Sequence, residues 1–322
     1  MKRSGTFFLR YLAAMYKKLL ILLLMSTLFG FNIIQFIEKQ RTKKWERSDI
    51  VYSLFSNEKG EHSVYSKLSE KPKIVFLHGF GASSLLQWYD VARLLKNDYD
   101  LIMPDLLCSG ESTVIDNDYT VDAQVEHVKF VLEQLGVQEK VIVCGNSYGG
   151  LVASHFADKY PDLVSHLIMY DAPSKHYSLH HADSVARSLG LSGISALLMP
   201  PNPDAMKTSL KVIYYKEPFI PEFIMNGMFE PAVMDQRKEQ QKLLDDLISR
   251  EIYYQQKDYS FKMPVSLIWG QYDELIPITT AKAIMEEYQI PNERLYIIPN
   301  TAHAANMEAP REFCKVLTGI VR

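Results

Sequence analysis

The segment Gly145-Asn146-Ser147-Tyr148-Gly149-Gly150, directly after the apolar run at residues 141–144, constrains this chain more than any other stretch. An apolar strand that stops at Gly-x-Ser-x-Gly and continues as a helix must turn so sharply that the serine hydroxyl stands on an exposed elbow. Residues two before and two after Ser147 have to be small, because the strand and helix backbones approach too closely for side chains. The same pattern also occurs as a glycine-rich turn with an idle serine. The rest of the chain decides between these readings.

Three further apolar runs end where a hydrolase needs functional groups. Residues 73–77 end in His78-Gly79-Phe80-Gly81, residues 265–269 in Gly270-Gln271-Tyr272-Asp273, and residues 295–298 lead through Pro299 to His303. Each functional type falls just past the carboxyl end of a predicted strand, the edge where open α/β sheets assemble their sites. The order Ser147, Asp273, His303 matches the nucleophile–acid–base order of a strand-elbow hydrolase.

The 322 residues are 47% hydrophobic and 23% charged with a net charge of -3, enough for one large core with an inserted subdomain. The near-neutral balance carries no nucleic-acid footprint. Cys108, Cys144 and Cys314 form no disulfide framework and read as free buried thiols. No phosphate loop or dinucleotide fingerprint is present, so no cofactor is implied. His176, His180 and His181 cluster locally, but without cysteine or carboxylate at ligand spacing they read as a solvated loop and not as a metal site.

Residues 50–55 and 62–65 flank Asn57-Glu58-Lys59-Gly60 and predict an opening hairpin. Strands follow at 73–77, 100–103, 141–144 and 164–169. Between them lie helices near 85–95, from Thr120 onward with Val121, Val125, Val128, Val131 and Leu132 on one face, and after the elbow to about 160. This alternation predicts a mostly parallel sheet covered on both faces. Between residues 173 and 259 the alternation stops, and prolines stand at 200, 201, 203, 218, 221 and 231. The apolar residues of this segment, Leu198, Met199, Phe219, Met225 and Met228 among them, are expected mostly to pack it on itself, with a minority facing Ser147.

With these motifs in place the chain resembles α/β-hydrolase-fold serine hydrolases over residues 48–320. Further matches are Asp105-Leu106-Leu107-Cys108-Ser109-Gly110-Glu111-Ser112 after the fourth strand and Glu308-Ala309-Pro310 after the histidine. The resemblance implies an α/β fold with a mostly parallel eight-stranded sheet, flanking helices and a helical cap inserted after the sixth strand. It divides the chain into residues 1–47 as tail, anchor and linker, 48–172 with 260–322 as core, and 173–259 as cap. Ser147 is then the nucleophile, His303 its base, and Asp273 the group that holds the imidazole in the right tautomer. Backbone N–H groups of Phe80 and Tyr148 form the implied oxyanion hole. Glu274 and Asp171 are rival acids, the second expected at the cap entrance, and His78 is expected to brace its loop.

The stretches 202–206, 220–224 and 268–273 resemble membrane-anchored monoacylglycerol lipases of the abhydrolase type, which implies a serine carboxylester hydrolase, a carboxylesterase or lipase with a lipid or small-molecule ester as substrate, acyl glycerols first. A carbon–carbon hydrolase of aromatic meta-cleavage products is the alternative. Its members share an Asn before the serine but usually carry Trp after the histidine, where this chain has Ala304. A hydrolase-fold ligand receptor with little turnover is a third reading.

Residues 19–37 contain no charge and are long enough for a helix to cross ~30 Å of hydrocarbon. No small-residue cleavage site follows, so the expectation is an uncleaved single-pass membrane anchor, with residues 42–48 as a polar linker. Lys2, Arg3, Arg10, Lys17 and Lys18 precede the run, while Lys39, Arg41, Lys43, Lys44 and Arg47 follow it. These cancel as an orientation signal. The short basic tail favours a cytoplasmic N-terminus and an extracytoplasmic catalytic domain.

Overall fold

The computed structural model describes residues 33–229 and 231–321. Its strands are Val51–Asn57 (β1), Gly60–Lys67 (β2), Lys73–Leu77 (β3), Asp100–Pro104 (β4), Val141–Asn146 (β5), Val164–Tyr170 (β6), Val265–Gly270 (β7) and Leu295–Ile298 (β8). They form one eight-stranded sheet in the order β1-β2-β4-β3-β5-β6-β7-β8. Only β1–β2 and β2–β4 pair antiparallel, so the expected hairpin opens an otherwise parallel sheet. Strands β4, β5 and β7 are buried at every residue, as parallel strands must be when helices cover both faces.

One face carries the helix Val121–Gln134, begun by the Thr120 hydroxyl accepting from the Ala123 N–H, and the helix Tyr148–Lys159. Their Val125, Val128, Val131 and Phe156 pack on Val75, Val143 and Leu167. The other face gathers Trp88, Phe76, Tyr170 and Phe313, the last from the closing helix Pro310–Val321. Cys144 and Cys314 lie in this second cluster, and all three cysteines are free and buried. Burial pushes the Cys108 and Cys314 thiols up to about 12.

The helix expected near 85–95 is in fact two, Ser84–Gln87 and Tyr89–Leu95. They break at Trp88, whose fully buried ring sits 4.8 Å from that of Phe76. The linker expected at residues 42–48 is also corrected. Through Glu46 it is the end of the helix Ile33–Glu46, and Trp45 is fully buried, 4.9 Å from the Tyr65 ring and stacked 5.8 Å from Tyr89. An indole taken out of water on two aromatic neighbours outweighs the polar composition around it. Of the apolar run at 19–37, residues 19–32 lie outside the described residues. Among the described residues no helix is long and apolar enough to cross a membrane.

Between β6 and β7 lie six described helices: Leu179–Ser188, Ile194–Leu198, Pro203–Ile213, Glu222–Gly227, Pro231–Ser249 and Glu251–Gln256. Asn202 caps the third, with Pro203 in its first turn.

Candidate active site

Ser147 sits at φ 52 and ψ −121, between the last residue of β5 and the first of the following helix. A non-glycine residue there costs on the order of 1–3 kcal/mol and persists only where its surroundings over-determine it. Its N–H is held by the Tyr170 carbonyl at 2.9 Å. A Cβ on Gly145 would stand 2.1 Å from the Gly149 carbonyl oxygen, and one on Gly149 would stand 2.4 Å from that of Leu77. The elbow therefore demands glycine on both sides of the serine.

His303 and Asp273 lie in the loops after β8 and β7, both buried, with Nδ1 and Oδ2 2.7 Å apart. The other Asp273 oxygen accepts the N–H groups of Leu275 and Ile276, each at 2.9 Å. A carboxylate at Nδ1 makes that nitrogen the protonated one and leaves Nε2 as an acceptor. Glu274 is exposed, and its carbonyl accepts from His181 Nε2 at 2.9 Å. Asp171 is not at an entrance, as expected from its sequence position. It is fully buried, its Oδ1 accepts the Gly270 N–H at 2.9 Å, and a carboxylate oxygen lies within 4.8 Å of both Asp273 and His303. β6 pairs with β7 up to Tyr170 opposite Ile268, and the Asp171 N–H continues onto the Ile268 carbonyl, which carries the side chain into the interior.

Phe80 and Tyr148 flank the serine, their rings edge to face at 6.2 Å. Neither backbone N–H is engaged by another described residue. The loop carrying Phe80 is braced by His78, which accepts the Leu106 N–H at Nε2 and so donates from Nδ1 to the Gly79 carbonyl. Burial lowers the pKa of His78 to about 4, keeping the ring neutral.

Three positioning residues escaped the sequence. Gln87 takes the Gly79 N–H at Oε1 and donates to Asn146 Oδ1, linking the loop to the residue before Ser147. Asn306 donates to the Gln87 carbonyl, and its own N–H meets the Tyr170 hydroxyl at 3.0 Å. That hydroxyl also lies 3.3 Å from the His303 carbonyl. Asn146 was a visible signal only because it precedes the serine, and Gln87, Tyr170 and Asn306 stand in no motif.

Ser147 opens into a cavity of about 80 Å³ whose lining is mostly apolar, with Phe80, Leu151, Leu198 and Leu275 on it, and includes Glu251 and Gln255. Leu198 was among the apolar residues named for the insertion, whereas Phe219 is 93% exposed and packs nothing. A larger cleft of about 520 Å³ lies on the other side of Leu198, between Glu38, Lys39 and Thr42 of the N-terminal helix and Met206 and Met228 of the insertion. The insertion is tied to the histidine loop. Glu308 accepts from Ala302 with one oxygen and from Tyr215 and Lys216 with the other, and the Ala304 N–H donates to the Ile213 carbonyl.

His176 faces Glu287 and His181 the Glu274 carbonyl, so the histidine cluster does not converge. Among the described residues the one acid–imidazole group close enough to share a cation is Asp171, Asp273 and His303. Its donor atoms are largely committed to each other and to backbone N–H groups.

A family model described as alpha/beta hydrolase fold matches residues 72–310. The chain is similar to the human protein named monoacylglycerol lipase ABHD6, with 27% identity over 264 residues, covering 80% of this chain and 77% of that one. Lipase 1 of Psychrobacter immobilis is 26% identical over 279 residues, with 84% of each chain covered. Among solved structures, a putative lipase from Acinetobacter baumannii superposes with a TM-score of 0.76 at 22% identity, covering 89% of this chain and 95% of that one.

Proposed function

The chain belongs to the α/β-hydrolase-fold family, and from that premise we propose that it is a serine carboxylester hydrolase of lipase type acting on acyl glycerols, monoacylglycerols in particular. The observation that carries the reading is the 2.7 Å pairing of buried His303 with Asp273, on the same sheet edge as the strained Ser147. His303 Nε2 removes the Ser147 proton as Oγ attacks the ester carbonyl. The N–H groups of Phe80 and Tyr148 receive the developing oxyanion. Collapse expels the alcohol, which takes the proton from His303 and leaves an acyl-enzyme on Ser147. Water, activated by the same imidazole, then releases the fatty acid.

The apolar lining above Ser147 supports an acyl chain in that cavity, and the mixed cleft beyond Leu198 supports a polar alcohol portion on the other side. In this reading residues 48–172 and 260–322 are the catalytic core and 173–259 its cap. Residues 19–37 remain attached as a single-pass anchor, with the core extracytoplasmic. The lipase names of the relatives, at 26–27% identity, support the same substrate class.

The test is fluorophosphonate labelling and turnover on a panel of acyl glycerols, p-nitrophenyl esters and a meta-cleavage dienoate, for wild type and Ser147→Ala. Sustained acyl-glycerol hydrolysis that vanishes in the variant is expected. Preference for the dienoate, or one slow cycle only, would overturn the reading. For the anchor, recovery in the carbonate-washed membrane pellet with an intact N-terminus is expected, and a soluble product starting after residue 30 would refute it.

A further inference from the structure

Asp171 is the one buried carboxyl beside the candidate triad that the proposed mechanism leaves unused. Its φ is 42, a left-handed conformation that costs a non-glycine residue energy, and its side chain is fully excluded from water. Oδ1 is occupied by the Gly270 N–H, while Oδ2 is buried with no hydrogen-bond partner. A buried polar atom left without a partner destabilises the fold. One oxygen of Asp171, one of Asp273 and a ring nitrogen of His303 all lie within 4.8 Å of one another.

Two carboxylates this close in a dry site do not both ionise. Asp273 accepts three N–H donors, from Leu275, Ile276 and His303, whereas Asp171 accepts one. The better-solvated carboxyl keeps the charge. The shared proton therefore belongs to Asp171, and to Oδ2, the oxygen without a donor. We propose that Asp171 is a positioning residue that, as the neutral acid, donates its Oδ2 hydroxyl to the Asp273 carboxylate and so fixes the acid that orients His303.

Burial, and next the charge of Asp273, raise the Asp171 carboxyl well above the ordinary carboxylate range. Glu308 acts in the same direction, and Tyr170, Tyr177 and His303 also face the pair. The donated bond is charge-assisted and leaves Asp273 with its single negative charge. The proposal rests on Asp273 being the triad acid, as given above.

The first test needs no substrate. In the Ser147→Ala background at neutral pH, an infrared difference spectrum against Ser147→Ala/Asp171→Asn is expected to show the carbonyl band of a protonated carboxylic acid. Its absence would overturn the proposal even if the hydrolase reading stands, and its presence would survive failure of that reading. The second test is kinetic. Asp171→Leu, which removes the donor but keeps a side chain branched at Cγ, is expected to lower kcat about 10- to 100-fold with little change in KM. Asp171→Asn restores a donor and is expected to recover most of that loss, with the acid limb of the kcat/KM profile unmoved. An ionised Asp171 would stabilise the imidazolium, so its replacement by Asn would shift that limb to lower pH. Such a shift, or a folded Asp171→Leu enzyme with full kcat, would overturn the proposal. Should the leucine variant not fold, Asp171→Ala, which also lacks a donor, carries the same comparison.

Discussion

At the carboxyl edge of the sheet, a single added methyl at Gly145 or Gly149 would collide with backbone oxygen, whereas in the insertion above it Phe219 stands 93% exposed. The edge is held by buried parallel strands and by side-chain bonds that reach across the chain, such as Gln87 to Asn146. The insertion is held to it by side-chain bonds such as Glu308 to Tyr215 and Lys216 and the Tyr177 hydroxyl to the Leu275 carbonyl. The contrast separates two tasks. Geometry that the proposed chemistry depends on sits where backbones pack too closely for a side chain, and part of the apolar cover over the serine is carried by an insertion that includes an exposed Phe219.

The sharpest way to break this comparison is Asp273→Asn. It should lower kcat by on the order of 10⁴-fold while leaving the fold intact, because the imidazole loses its tautomer and orientation. Steady-state kinetics beside a circular dichroism spectrum decide it. A loss smaller than tenfold would move the triad acid elsewhere.

Acid should act on the core before the insertion. His78 and His127 are fully buried and neutral, the first lowered to about 4 and the second to about 3, in both cases chiefly by burial. A histidine lowered from 6.5 stabilises the fold fully above that pH and loses its contribution as pH falls toward the folded value. Each should cost about 2 kcal/mol by pH 5. Asp105, raised to about 6 by burial, works against this loss, since its contribution is greatest at low pH and disappears as pH rises through 6. His176, His180 and His181 of the insertion are exposed. Urea midpoints at pH 7.5 and pH 5 should differ accordingly, and equal midpoints would mean these core rings are solvated.

Cutting the tether gives a smaller effect. Glu308→Ala removes charged acceptors worth about 1.5–3 kcal/mol each in bonds of this type, so kcat/KM should fall roughly 10- to 100-fold. Limited proteolysis should then cut near residues 214–221, and unchanged proteolysis would show that Glu308 does not secure the insertion. Phe219→Ser comes last. With the ring in water the melting temperature should hold, a change within about 0.5 kcal/mol. A clear destabilisation would mean the side chain packs somewhere in the folded protein.

Much of the edge was legible because each functional residue sits beside a strand end whose own residues announce it. Ser147 is flanked by glycines that backbone contact requires, Asp273 follows the apolar residues of β7, and His303 follows β8. Gln87, Tyr170 and Asn306 were not legible, because the bonds Gln87 to Asn146 and Asn306 to Gln87 span 59 and 219 residues and each side chain is unremarkable in its own segment. Asp171 was noticed but misplaced, since sequence order does not tell how deep a strand end lies. Trp45 was missed for a related reason, as a helix of mixed polarity gains its buried face only against Tyr65 and Tyr89.

Period-two and period-3.6 patterning, the glycines of the elbow and the order of the strand-end motifs determined the fold class, because those demands are local to the backbone and any chain meeting them must show the same residues. Which acid meets His303, which carboxyl lies buried behind it, and which side chains of the insertion reach Ser147 were decided only when β6, β7 and β8 came together, since burial and hydrogen-bond reach are properties of distance in space and not of distance along the chain.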